Sequence, residues 1–236
     1  MARKGTTGSF NRDIVASETR IEKWRKYQYF ILIVCEDQNT EPTYISTFKN
    51  QFPEHTLFLE VAGSGLDPLG VVNAAIRERE KLAGLTNREI DEIWVVFDKD
   101  DADKNQTRID RFNNAFSTAD DNNFKIAWSN EVFELWFLLH FEDIAFTPLT
   151  RAQIYDRLRD SINQIVGSQV IDNGHSNIKI IPYLSSHGNE TNATERAEQL
   201  IMHHNGKPPI NSNPATMMHA LVKSLREWII YYNYTP

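Results

Sequence analysis

Four short apolar runs, each followed by a stretch with helical spacing, constrain this chain more than any other feature. The runs are Tyr27 to Cys35, Thr56 to Ala62, Glu89 to Phe97 and Phe124 to Trp128. The first is β-branched, aromatic and nearly unbroken, as a strand buried on both faces must be. Between the runs, apolar residues recur at helical intervals: Tyr44, Ile45, Phe48 and Phe52, then Leu69, Val72, Ala75, Ile76 and Leu82, then Ile109, Phe112 and Phe116. Thr40 with Pro42, and Asp67 with Pro68, are start signals for the first two of these helices. Val132 to Phe141 reads as a fourth helix, mostly buried. Strand and helix alternate throughout, which predicts an α/β fold: a parallel-sheet core of about four strands with helices on both faces.

The pattern changes after Pro148. Ile154, Leu158 and Ile162 suggest a helix, as do Thr194 to His203 and Ala215 to Tyr231, whereas 167–192 is rich in Gly, Asn and Ser and reads as loops with short pieces. Pro208, Pro209 and Pro214 mark 205–214 as a further loop. The expected organisation is a flexible basic arm over 1–26, an α/β core over 27–147, and a helical C-terminal extension over 148–236 packed on that core. The arm carries Arg3, Lys4, Arg12, Arg20, Lys23, Arg25 and Lys26 against only three acids.

A net charge of −7 argues against holding nucleic acid by charge alone, but leaves room for an enzyme that meets phosphates through metal ions and a local basic patch. The single cysteine, Cys35, can form neither an internal disulfide nor a cysteine-rich zinc site, which fits a reducing cytosol. The first nine residues have no apolar core, and no stretch has the length and apolarity of a membrane span, so the expected location is cytoplasmic.

In a parallel sheet the carboxyl ends of the strands share one edge, and ligands bind there. Three of the runs end at polar residues: Glu36 after the first, Asp98-Lys99-Asp100-Asp101 after the third, and Ser129-Asn130 after the fourth. Glu36, Asp98 and Asp100 are therefore expected to meet across about sixty positions of chain. Clustered carboxylates need a counter-charge, and a hard cation with oxygen ligands, Mg²⁺ or Mn²⁺, supplies one. Asp101 is a further candidate ligand, although a solvated loop acid explains it equally well. Glu36 is a candidate ligand or a general acid or base. Ser129 and Asn130 are candidates to bind phosphate or orient a water. Glu134, on the following apolar helix, needs a partner and can face the acidic edge. Glu41 suits the helix dipole in a first turn, with a contact to the site left open. His140 reads chiefly as a structural histidine.

Other site types are excluded by their own spacing. Asp98 onward fails as an EF-hand, because Ala102 stands at a ligand position and Ile109 replaces the closing glutamate. Gly63-Ser64-Gly65 lacks the rest of the dinucleotide fingerprint, and there is no Walker A sequence and no Gly-x-Ser-x-Gly elbow. His203-His204 has no partners at zinc spacing.

These segments together resemble a known family. Glu36 after the first strand and Asp98-x-Asp100 after the third resemble the Toprim domain of topoisomerases, primases and overcoming-lysogeny-type nucleases. The RloB-like family of abortive-infection and restriction-locus proteins is closer still. The matching residues are Ile33-Val34-Cys35-Glu36 with Thr40-Glu41-Pro42-x-Tyr44, Val95 to Asp101, Ser129-Asn130-x-x-Phe133-Glu134-Leu135-Trp136-x-Leu138-Leu139-His140, and Asn213-Pro214-Ala215-Thr216. Asp37 stands where Toprim sequences usually carry glycine, and Glu131 where relatives tend to have proline. The resemblance implies a Toprim-like core and a metal-dependent nuclease acting on DNA or RNA. Mg²⁺ or Mn²⁺ would be held by Glu36, Asp98, Asp100 and Asp101, and Glu36 would move a proton. It also implies an effector of bacterial antiviral defence (abortive infection) working with an AAA/ABC-like ATPase encoded nearby, and it is compatible with a homo-oligomer. Two other readings stand beside it: a non-catalytic Toprim-like subunit that regulates an ATPase, and a haloacid-dehalogenase-like phosphatase with Asp98 as nucleophile.

Overall fold

The computed structural model describes residues 27–168, 171 and 178–234; the expected N-terminal arm lies outside them. The predicted alternation is present: strands β1 (Tyr29–Cys35), β2 (Leu57–Gly63), β3 (Glu92–Asp98) and β4 (Lys125–Asn130) alternate with helices α1 (Thr40–Ser46), α2 (Pro68–Thr86), α3 (Gln106–Asp121) and α4 (Glu134–Leu139). Four more helices follow: α5 (Arg151–Val166), α6 (Ile181–His187), α7 (Glu190–His203) and α8 (Met218–Asn233). A two-residue strand, β5 (Ala215–Thr216), precedes α8.

The five strands form one sheet in the order β2-β1-β3-β4-β5, parallel except for β5. From β1 the chain moves outward to β2, then returns to lay β3 on the other side. The gap between the carboxyl ends of β1 and β3 is therefore the topological switch point, where open α/β sheets bind ligands.

Side-chain alternation along the strands divides the core into two apolar layers. Ile31, Ile33, Cys35, Trp94, Val96 and Ala127 face α1 and α4 to α8, while Leu32, Val34, Ile93, Val95 and Phe97 face α2 and α3. Both layers are buried, so the strands read as continuous apolar runs. Among the described residues no helix is long and apolar enough to cross a membrane.

The structure departs from the sequence reading at three places. The expected α1 face extends past the helix: Phe48 and Phe52 lie in the turn and 3₁₀ segment beyond Ser46. Within 167–192, α6 forms over Ile181–His187, and α7 starts earlier than Thr194 because the Asn189 side chain accepts from the Asn192 N–H and caps it. Ala215 and Thr216, expected to open the last helix, instead extend the sheet antiparallel to Asn130 and Ser129. β4 runs two residues past Trp128, with Ser129 paired to both Asp98 and Thr216 and Asn130 paired to Ala215.

Candidate active-site cleft

The β1–α1 turn sets the first wall of the site. The Glu36 N–H donates to the Val96 carbonyl, continuing the ladder one residue past β1, and the Glu36 carbonyl accepts from Gly65. The turn then passes so close to β2 that a Cβ on Gly63 would lie 2.6 Å from the Asp37 oxygen and from Gln38 Cα. Glycine is required there, which gives the Gly63-Ser64-Gly65 segment its role without any nucleotide. Asp37, at the position where Toprim sequences usually have glycine, closes the turn by accepting from the Thr40 N–H at 2.7 Å. Burial works against its charge, but the Thr40 and Gln38 N–H groups outweigh it and hold the carboxyl below its usual range.

The second wall comes from β3 and the residues after it. Asp98 ends the strand opposite Ser129. Its N–H donates to Glu36 Oε2 at 2.8 Å, so the two acids that the sequence placed together are adjacent across 62 positions. Asp98 Oδ2 accepts from the Phe133 N–H at 2.8 Å, tying β3 to the start of α4. Asp98 Oδ1 is buried and has no hydrogen-bond partner among the described residues. Asp100 follows in the left-handed region, φ 48°, with its N–H on the Glu131 carbonyl. Buried Lys99 is locked between Asp103 at 2.8 Å and Glu131 at 2.9 Å.

Glu41 and Glu134 complete the acidic floor. They are 2% and 7% exposed, and Glu41 is far more buried than a first-turn acid serving only the helix dipole would be. Glu41 Oε2 accepts from the Asp37 N–H at 3.1 Å. Burial raises the Glu36 carboxyl from 4.5 to about 8, with Asp100 adding to the rise. Burial likewise lifts Glu134 to about 7, helped by Asp37 and Asp100. Glu41 and Asp98 are pushed up by burial and then by one another's neighbours: Glu36 and Glu134 act on both. These directions share one cause, several carboxylates withdrawn from water at one spot.

The acids open onto a cleft of about 800 Å³, lined by Glu36, Glu41, Asp98, Asp100, Asp101 and Glu134 among others, with Arg108, Arg111, Phe133 and Tyr155 also on its walls. Arg111 is engaged with both oxygens of Asp67, the cap of α2. Arg151, the first residue of α5, pairs with Asp100 and lies 3.8 Å from Asp101. Asp101 is at the rim, 40% exposed and bonded to Lys104 at 2.7 Å.

Three candidates from the sequence point elsewhere. Ser129 Oγ bonds Thr216 Oγ1 at 3.0 Å, and the Asn130 amide donates to the Pro209 and Ile210 carbonyls. His140 packs edge-on against Trp136, with neither ring nitrogen hydrogen-bonded and burial lowering its pKa to about 4, so it is a neutral core side chain. Conversely, Arg151 and Tyr155 were missed; both come from α5, and nothing in their local spacing separates them from surface residues of an amphipathic helix.

Fit to a cation divides along the same lines. Among the described residues no three His, Cys, Asp or Glu side chains stand in a geometry ready to hold a metal ion. The oxygens are engaged instead: Glu36 on a backbone N–H, Asp100 on Arg151. Yet hard oxygen donors line the cleft, and Asp98 Oδ1 is a buried oxygen without a hydrogen-bond partner among the described residues, free to accept a cation. The donor set suits Mg²⁺ or Mn²⁺ and no softer metal.

Fold and cleft together define an α/β protein with an acidic pocket at the switch point of a mostly parallel sheet. The family model for RloB-like proteins matches residues 31–225, and the chain belongs to that family. A search of curated proteins and of solved structures finds no match.

Proposed function

We propose that this chain is a metal-dependent phosphodiesterase of the nuclease type, with a Toprim-like core, cutting DNA or RNA in the switch-point cleft. The observation that carries the reading is the buried, unpartnered oxygen of Asp98, set among Glu36, Glu41 and Glu134 whose charged forms are all disfavoured. Such a cluster has a use when a divalent cation compensates it. Asp98 and Glu36 would hold the cation, joined by Asp100 once its carboxylate leaves Arg151, with Asp101 nearby at the rim. A bound Mg²⁺ or Mn²⁺ supplies Lewis-acid polarisation of a phosphoryl oxygen and activation of water. Glu36, set beside Asp98 at the mouth of the cleft, would also be placed to exchange a proton with a water activated there. Glu41 and Glu134 deepen the negative field and orient the first two acids. Arg108 lines the wall near the rim, 3.8 Å from Asp101, where a phosphate would enter. In this reading the chain acts as an effector of antiviral defence beside an AAA/ABC-like ATPase in the cytoplasm, as the resemblance drawn from its motifs implies.

Incubation with plasmid, single strands and transfer RNA, with Mg²⁺ or Mn²⁺, tests the reading. Cleavage by the wild type and its loss in both Glu36→Ala and Asp98→Ala is the expected result. Equal cleavage by all three proteins would remove the site. A folded wild type that cuts nothing yet binds an ATPase tightly would favour the non-catalytic subunit.

A further inference from the structure

Resting on that reading, we propose that Arg151 is the residue that grips the substrate phosphate, and that Asp100 holds it in reserve until a cation arrives. Its placement is built from three distant segments. Asn213 clamps the chain before α5, with its oxygen accepting from the Leu149 N–H at 2.9 Å and its amide donating to the Leu149 carbonyl at 2.9 Å and to Glu131 at 3.1 Å. Thr150 then starts α5 with a reciprocal capping box, its side chain accepting from Gln153 while the Gln153 side chain reaches back. Arg151 is the next residue, so its backbone is fixed from both sides and its long side chain reaches Asp100 from the first turn of the helix.

The other cations of the cleft are committed differently. Lys99 is buried between Asp103 and Glu131, Arg111 is held by two oxygens of Asp67, and Arg108 stands exposed at the rim, 3.8 Å from Asp101. Arg151 instead pairs with a carboxylate that is itself a candidate metal ligand. Its charge also reaches Glu134 and Tyr155. A divalent cation and a guanidinium compete for the same Asp100 oxygens, and the more concentrated charge wins a site with several carboxylates. The displaced guanidinium sits beside the position a phosphate must take to reach the cation, and its planar fork matches two phosphoryl oxygens. The ion pair therefore shields Asp100 in the empty cleft and delivers a phosphate donor to the filled one.

Calorimetric titration of Arg151→Ala, Arg151→Lys and wild type with Mn²⁺, and then of the Mn²⁺-loaded proteins with inorganic phosphate, separates this from a structural ion pair. Loss of the competitor is expected to tighten Mn²⁺ binding by Arg151→Ala about threefold to fivefold. Phosphate binding by the loaded Arg151→Ala protein is expected to weaken about tenfold. Arg151→Lys keeps the charge without the fork and is expected to fall between. Mn²⁺ affinity no tighter than wild type in Arg151→Ala, or phosphate affinity unchanged, would overturn the proposal. A wild type that binds no Mn²⁺ removes the cation site and this proposal with it. A wild type that binds Mn²⁺ but cuts no nucleic acid removes only the nuclease reading, and the two affinity comparisons still decide the role of Arg151.

Discussion

Replacing Glu36 by Gln in metal-free protein should stabilise the fold at alkaline pH, and the size of the gain follows from the site. The carboxyl titrates at 4.5 in an open chain and at about 8 in the folded one. Below pH 4.5 both states hold the proton, so the raised value costs nothing. Between pH 4.5 and 8 the unfolded chain has released its proton and the folded chain retains it, so stability falls as pH rises. Full conversion of the shift gives about 5 kcal/mol. Water in the open cleft screens part of this, leaving about 2–3 kcal/mol. For a chain of this length that corresponds to about 5–10 °C in Tm. Glu134, lifted to about 7, contributes with the same sign and remains in the variant. The assay is thermal and urea denaturation of chelator-treated wild type and Glu36→Gln from pH 4 to 8.5. The curves should nearly coincide at the acid end and diverge with the variant higher at the alkaline end. Mn²⁺ added at pH 8 should raise the wild-type Tm and raise the variant's less. Parallel curves, or a variant less stable at pH 8.5, would refute the idea that burial and neighbouring acids hold this group protonated.

Other residues give sharper, local outcomes. Gly63→Ala places a methyl group against backbone at 2.6 Å and should cost about 1–3 kcal/mol in urea unfolding while also displacing Glu36 and weakening Mn²⁺ binding. Thr216→Val removes the Ser129 partner and the acceptor for the Met218 N–H, and should lower stability by about 1–3 kcal/mol with little change in cation affinity. His140→Leu should be neutral or stabilising, because it removes two buried nitrogens that have no partners, and should leave any nuclease activity intact; loss of activity in a well-folded His140→Leu protein would make that histidine functional.

The parallel core was legible because each strand carries its own signal: apolar residues for both faces, then polar residues where the strand leaves the sheet. The adjacency of Glu36 and Asp98 followed from that alone. What escaped were features made by distant partners. β5 is two residues long and pairs with residues 87 positions away, so no local pattern announces it. Its presence turns Ser129 inward to Thr216, whereas strand-end reasoning aimed Ser129 at the cleft. Glu41 looked like a first-turn acid serving a helix dipole; only the packing of α1 against the switch point buries it beside Asp98. Arg151 looked like one more charge on an amphipathic helix until Asn213 fixed where that helix begins.

The most direct measurement is a crystal structure of the protein soaked with Mn²⁺, read by its anomalous signal. The account requires one cation in the switch-point cleft, with Asp98 Oδ1 and Glu36 among its ligands and Arg151 moved off Asp100. Mn²⁺ bound elsewhere, or a cleft in which Asp98 Oδ1 stays without a ligand at saturating Mn²⁺, would contradict it.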